Sequence, residues 1–172
     1  MVEAAFVIPV MLLIFFGLTQ LAFGMSASSS ATGASRTGAR LAAATYAPAA
    51  RGGVPAQLEA NIDSIRLGVE RDLEGRPAQT TPVRLEVYRA ALTGRPASGA
   101  ACSTDCISWT WNGTAFANRT GSWPSPDACG STVDLVGVRV TLDHEINSPF
   151  LGDIEVQRAT TMRLEPITDV AC

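Results

Sequence analysis

The chain has 172 residues, 47% hydrophobic and 17% charged, which suits one ordinary domain and excludes a disordered chain. Its net charge of −3 leaves no global basic field to hold nucleic acid, and all 13 basic residues are Arg. Charge is unevenly placed, however: after Glu3 the next charged residue is Arg36.

The run AAFVIPVMLLIFFGLTQLAFGM, residues 4–25, would span roughly 33 Å as a helix, about the thickness of a bilayer core, and predicts a membrane helix. A cleavable export signal would place basic residues ahead of an apolar core of roughly 7–15 residues. Here the run is longer, and an acid stands where those basic residues belong. Pro9 removes one backbone donor and crowds the preceding turn, so a kink or local opening is expected there, and Gly17 is a second weak point. Glu3 heads the helix, where the helix dipole and the nearby interface ease its desolvation. It reads either as a helix-start acid at headgroup level or as the partner of a cation from a neighbouring copy.

Residues 26–47 are small and carry no Pro before Pro48, so a helix is expected from about Val2 to Tyr46, roughly 65–70 Å long. Ala27, Ala31, Ala34, Gly38 and Ala42 form a stripe of small side chains at spacings of three and four, a surface that lets other backbones approach closely. Gly and Ser weaken helices in water, so this half needs neighbours to hold it. The competing reading is a flexible Ser/Gly linker. PAARGGVP, residues 48–55, reads as a break. The expected division is therefore a transmembrane and assembly helix over 1–47 and an extracytoplasmic head over 48–172.

Val54, Leu58, Ile62, Ile65, Val69 and Leu73 then recur at helical spacing, one apolar packing face supported on its exposed side by Asp63–Arg66 and Arg66–Glu70. Gly75 and Pro77 close that helix. Alternation follows. Val83, Leu85 and Val87 alternate with Arg84, Glu86 and Tyr88, and Val138, Val140, Leu142, His144 and Ile146 with Arg139, Thr141, Asp143 and Glu145. Thr160, Met162 and Leu164 alternate with Thr161, Arg163 and Glu165. Period two with one charged face predicts antiparallel strands packed on one side and wet on the other, covered by the helices. The fold class is α+β: a long N-terminal helix and a second amphipathic helix packed on an antiparallel sheet, with a disulfide-pinned loop.

An excursion over residues 94–132 interrupts the strands. Within it CISWTWNGTAF predicts a hairpin turning at Asn112-Gly113, with Trp111 opposite Thr114 and Trp109 opposite Phe116. Trp109, Trp111 and Trp123 read either as a satellite core or as an aromatic patch that contacts a ligand or partner. Cys102, Cys106, Cys129 and Cys172 predict two disulfides with three connectivities open, rather than zinc, because Cys129 and Cys172 are not closely spaced and His144 is the only His. His144 falls on the core face of a strand, where a hydrogen-bonded structural role is expected. No catalytic fingerprint occurs, so neither an enzyme nor a cofactor is expected.

Val2-Glu3-Ala4-Ala5-Phe6-Val7-Ile8-Pro9-Val10 resembles the opening of TadE-like minor pilins, pseudopilins of the tight-adherence (Tad, type IVb) pilus system. Ala34-Ser35-Arg36-Thr37-Gly38-Ala39-Arg40 resembles the segment that follows their hydrophobic helix, and Thr161-Met162-Arg163-Leu164-Glu165-Pro166 their final strand. The resemblance implies assembly through Glu3, Pro9 and Gly17, with other pilins, assembly proteins and the inner membrane as partners. It also implies processing by a prepilin peptidase after a Gly, with the acid fifth in the mature chain. Here Glu3 stands third and no Gly precedes the motif, so no cleavage residue is assigned.

Arg36, Arg40 and Arg51 flank the helix on its far side, and the positive-inside rule alone would hold them in the cytoplasm. A missing leader would normally carry basic residues on the other flank, and with the four distal cysteines this argues for the opposite, N-in and C-out. The expected function is a minor pilin of a Tad-type pilus contributing to assembly and adhesion. The alternatives are a membrane-anchored binding module that uses the Trp-bearing loop, and a secreted disulfide domain whose apolar head is removed.

Overall fold

The structure, a computed structural model, describes residues 2–51, 55–97, 102, 104–128, 133–146 and 152–166, with side chains from residue 6 to 46 in the first helix and from residue 57 in the second. Its elements are α1 (Val2–Arg51), α2 (Pro55–Leu73), β1 (Thr80–Ala90), β2 (Cys106–Trp111), β3 (Phe116–Ser122), β4 (Leu135–His144) and β5 (Ile154–Arg163). The strands form one antiparallel sheet in the order β3-β2-β1-β4-β5, and the fold is α+β.

The helical periodicities decide what covers the sheet. Ile62, Ile65, Val69 and Leu73 of α2 are buried, as are Ala27, Ala31, Ala34 and Ala42 of α1, in one cluster with Leu85, Val87, Val138, Val140 and Leu142 from the strands. Large aliphatic residues on α2 interlock with small ones on α1, which lets α1 pack closely against both α2 and the sheet. Two glycines set the closest approaches. A Cβ at Gly38 would stand 2.7 Å from Val69 Cγ2 and 2.9 Å from Val138 Cγ1, and one at Gly68 would stand 2.4 Å from Leu41 Cδ1. The Asp63–Arg66 and Arg66–Glu70 pairs form at 3.4 and 2.9 Å, and Glu70 Oε1 also accepts from the Phe116 amide at 2.7 Å, tying α2 to β3.

Three details depart from the sequence reading. First, α1 does not break at Pro48 but continues to Arg51; a proline this near the helix end forfeits one donor and leaves little helix beyond it to disrupt. Second, the hairpin has a four-residue loop instead of a two-residue turn. Trp111 pairs with Phe116 and Thr110 with Ala117, while Ser108 pairs with Thr120 across an irregularity. Asn112 explains this: its Oδ1 accepts from the amides of Thr114 and Ala115 and from the Thr114 hydroxyl, each at 3.0 Å, while Gly113 supplies φ +103°.

Third, the outer face of the sheet is not wet at its centre. Tyr88 is buried over Gly137, where any Cβ would meet its ring at 2.3 Å, and donates to Gly94 O at 3.1 Å. Arg139 stacks on the same ring at 5.2 Å and pairs with buried Glu86 at 3.2 Å. Burial pushes the Tyr88 phenol up from its ordinary range, with Arg139 partly opposing.

Candidate functional site

The feature with functional content is α1 itself, because its two halves have opposite surroundings. From residue 6 to residue 18 every side chain is exposed, including Phe6, Leu13, Phe15 and Phe16. No residue of its most apolar 18-residue window is buried by the rest of the protein, and the helix is long and apolar enough to cross a membrane. A run of large apolar side chains with nothing against it is stable only in an apolar solvent or against other molecules.

The second half is held by the head along one face, while Ser29, Gly33, Arg36, Arg40 and Ala44 stay exposed on the other. Ala27, Ala31, Ala34, Gly38 and Ala42 are buried, so the small-residue stripe meets the chain's own sheet and α2. Polar rungs fix the register against β5: Arg158 Nε donates to Ser28 Oγ at 3.0 Å, Ser35 Oγ and Thr160 Oγ1 lie 2.8 Å apart, and the Glu165 amide donates to Ala43 O at 3.0 Å. Asn61 Nδ2 of α2 donates to Thr45 O at 2.8 Å. At the top, the Tyr46 hydroxyl donates to Trp123 O, and the two rings stack with centroids 5.1 Å apart.

The other singled-out residues divide as follows. Glu3 lies within α1, but its side chain is outside the described residues. Pro9 lies inside the continuous helix with its side chain exposed. Gly17 has nothing within 4 Å of an added Cβ, so it contributes no close contact inside the molecule. Trp109 and Trp123 are core residues, 3% and 1% exposed, which removes them from any surface patch and places them in the main hydrophobic cluster. Trp111 is half-buried between Phe116, at 5.2 Å edge to face, and the Arg76 guanidinium at 5.4 Å.

Cys102 and Cys106 form a disulfide, which selects one of the three connectivities for that pair; Cys129 and Cys172 lie outside the described residues. His144 is buried, with Nδ1 3.3 Å from Thr80 Oγ1. No group of three His, Cys, Asp or Glu able to hold a metal occurs among the described residues.

Sequence reasoning overlooked three contributors. Gly68 sits on the α2 face one position before Val69, a placement that signals close helix approach. Tyr46 ends the buried half of α1 on the same side as the small stripe. Asp134, almost fully buried, accepts from Arg89 Nε at 2.9 Å and from the Asp127 amide at 2.8 Å, while its own carbonyl accepts from the Leu164 amide at 3.0 Å. Asp134 holds the guanidinium of Arg89 above its ordinary pKa. No local pattern announces Asp134, because its partners come from distant segments.

Residues 1–40 match the family model of TadE-like proteins. The matched stretch is most of α1, both the exposed half and the start of the buried one, and it is consistent with a TadE-like protein of Tad pilus systems. Neither a curated protein nor a solved structure matches the chain.

Proposed function

We propose that this TadE-like chain is a minor pilin, a structural subunit of a Tad-type pilus that inserts its head-bearing α1 into the inner membrane and docks the exposed half of that helix among other pilins. The observation that carries the reading is one uninterrupted helix that is bare and apolar over residues 6–18 and built into a folded head over residues 27–46. Such a helix holds the head at a fixed height and angle above whatever its bare half enters, because no hinge lies between them. Large side chains supply the contact area for lipid before assembly and for neighbouring helices after it.

Within this reading the N-terminus lies on the cytoplasmic side and the head outside, where the Cys102–Cys106 disulfide is stable. A prepilin peptidase would act on the N-terminal flank. Glu3 supplies the carboxylate for a neighbour's amine, an interaction that the low dielectric of lipid strengthens and whose absence leaves that amine unpaired. A role in surface adhesion belongs to the head as assembled.

The test is replacement of Glu3 by Ala or Leu in the producing cell. Pili are expected to be lost while the chain still folds and still enters the membrane, read by electron microscopy and by membrane fractionation. Normal piliation with either variant would overturn the docking role.

A further inference from the structure

The sheet ends in two edge strands, and they are finished differently. At β3 the Phe116 amide is taken by the Glu70 carboxylate of α2 at 2.7 Å, the register on β2 shifts between Ser108 and Thr110, and Asn118 and Gly121 carry φ of +51° and +77°. Such caps and kinks keep an edge from pairing with another chain. β5 has none of them. Its ten residues contain neither Gly nor Pro and no positive φ, and its register on β4 is unbroken from Ile154 to Arg163.

The free side of β5 follows from two hydrogen bonds just beyond it. Backbone groups of successive strand residues point to alternate sides. The Leu164 amide donates to Asp134 O, on the β4 side, whereas the Glu165 amide donates to Ala43 O of α1, on the other. Glu155, Gln157, Ala159, Thr161 and Arg163 therefore aim N–H and C=O away from β4. Of these groups only Gln157 O has a partner among the described residues, the Arg158 guanidinium at 2.9 Å. The five side chains are exposed.

Direction and charge say what pairs there. β5 rises beside α1, as the Ser28–Arg158, Ser35–Thr160 and Ala43–Glu165 rungs show. Copies anchored in one membrane hold β5 in the same direction and cannot pair it antiparallel with itself. The other edge that such a copy offers is β3, which is blunted. The occupant is therefore a different chain. Glu155 lies directly across from Asp143, and like charges so opposed are destabilising. Neither acid has an ion pair among the described residues, nor has Arg163 at the far end of the strand. On the opposite face Ile154 is 51% exposed.

We propose that β5 accepts an extended segment of a different protein of the pilus assembly, added antiparallel to the five-stranded sheet. The segment carries Asp or Glu facing Arg163 and, toward its other end, Lys or Arg facing Glu155. Uncharged residues lie opposite Gln157, Ala159 and Thr161, and an apolar one covers Ile154. Main-chain bonds hold the segment and the two end charges set its register. The exposed Arg158 side chain swings off Gln157 O to admit it. This inference rests on the minor-pilin reading above.

Hydrogen exchange resolved to single amides tests it on the full chain in detergent, from two sources: the chain produced alone, and the chain purified in its native complexes from cells that make the pilus. Alone, the amides of Glu155, Gln157, Ala159, Thr161 and Arg163 should exchange freely, while β4 protects those of Val156, Arg158 and Thr160. In the native complexes the first set is expected to slow by at least about 100-fold. Equally fast exchange in both samples would overturn the proposal. So would protection already present in the chain produced alone, which would make the occupant this chain itself.

Ala159→Pro removes one outward N–H and no bond to β4. It should leave Val156, Arg158 and Thr160 protected in the chain produced alone and cut recovery in native complexes by at least about tenfold. Recovery equal to wild type, with wild type present in the complexes, refutes the edge assignment alone. If the proline unsettles the strand, the wild-type exchange pattern decides. A wild-type chain that enters no complex overturns the minor-pilin reading and this inference with it.

Discussion

The two halves of α1 are one helix in backbone geometry and two different objects in chemistry. Residues 6–18 carry Phe, Ile, Leu and Met side chains and touch almost nothing, while residues 27–46 are dominated by Ala, Gly, Ser and Thr and supply much of the core's helical wall. Hydrophobicity alone would assign these roles the other way round. The comparison teaches that burial along α1 follows side-chain size up to Tyr46, which closes the buried half: from Ala27 to Ala43 small residues let the helix axis settle onto the sheet and against α2, and Gly38 is the tightest of the α1 glycines. The large residues keep their surface for an apolar environment outside the chain.

Substitutions can break or sharpen that contrast. The largest effect is expected at the top of the buried half, where Trp123 fills the core and its carbonyl receives the Tyr46 hydroxyl. Trp123→Ala should destabilise the head by about 3–5 kcal/mol, measured by denaturant unfolding of the full chain in detergent. Next comes Gly38→Leu, which must push Val69 and Val138 away and should cost about 3 kcal/mol in the same measurement.

A smaller loss, about 2 kcal/mol, is expected for Asp134→Ala, which leaves the Asp127 amide without its carboxylate acceptor and Arg89 without its closer acid. Arg89 is 46% exposed and is partly served by water and Asp105, which keeps this figure below that of a fully buried pair. Smallest of all is Gly17→Leu, where the added side chain meets nothing in the molecule; the unfolding free energy of the head should stay within about 1 kcal/mol of wild type, the helix-propensity difference alone. Equal stability changes at Gly17 and Gly38 would remove the distinction between the halves.

Much of the architecture was legible because its signals are periodic. The α2 stripe from Leu58 to Leu73, the alternation of Val138, Val140 and Leu142, and the apolar run of residues 4–25 each describe a single element and its buried face. The hairpin was legible as a hairpin and misread in register, because the side chain of Asn112 builds a wider loop than the Asn-Gly pair alone suggests. The outer sheet face was misread because its cover is non-local: Tyr88 settles over Gly137 on a different strand, and alternation cannot report which side chains from other strands will fold across it. Trp109 and Trp123 were open to a core or a surface reading until the fold brought them into the main hydrophobic cluster.

By itself the sequence determined the elements, the α+β class, the apolar helix and its TadE-like opening, because each of these is written in neighbouring residues. Only the tertiary structure decided that the small stripe faces the chain's own sheet, that Cys102 joins Cys106, and that Gln20 stands beside the adjoining ends of β4 and β5. Those facts depend on the distance at which separate elements pack, and that distance is set by side chains meeting across the fold rather than along the chain.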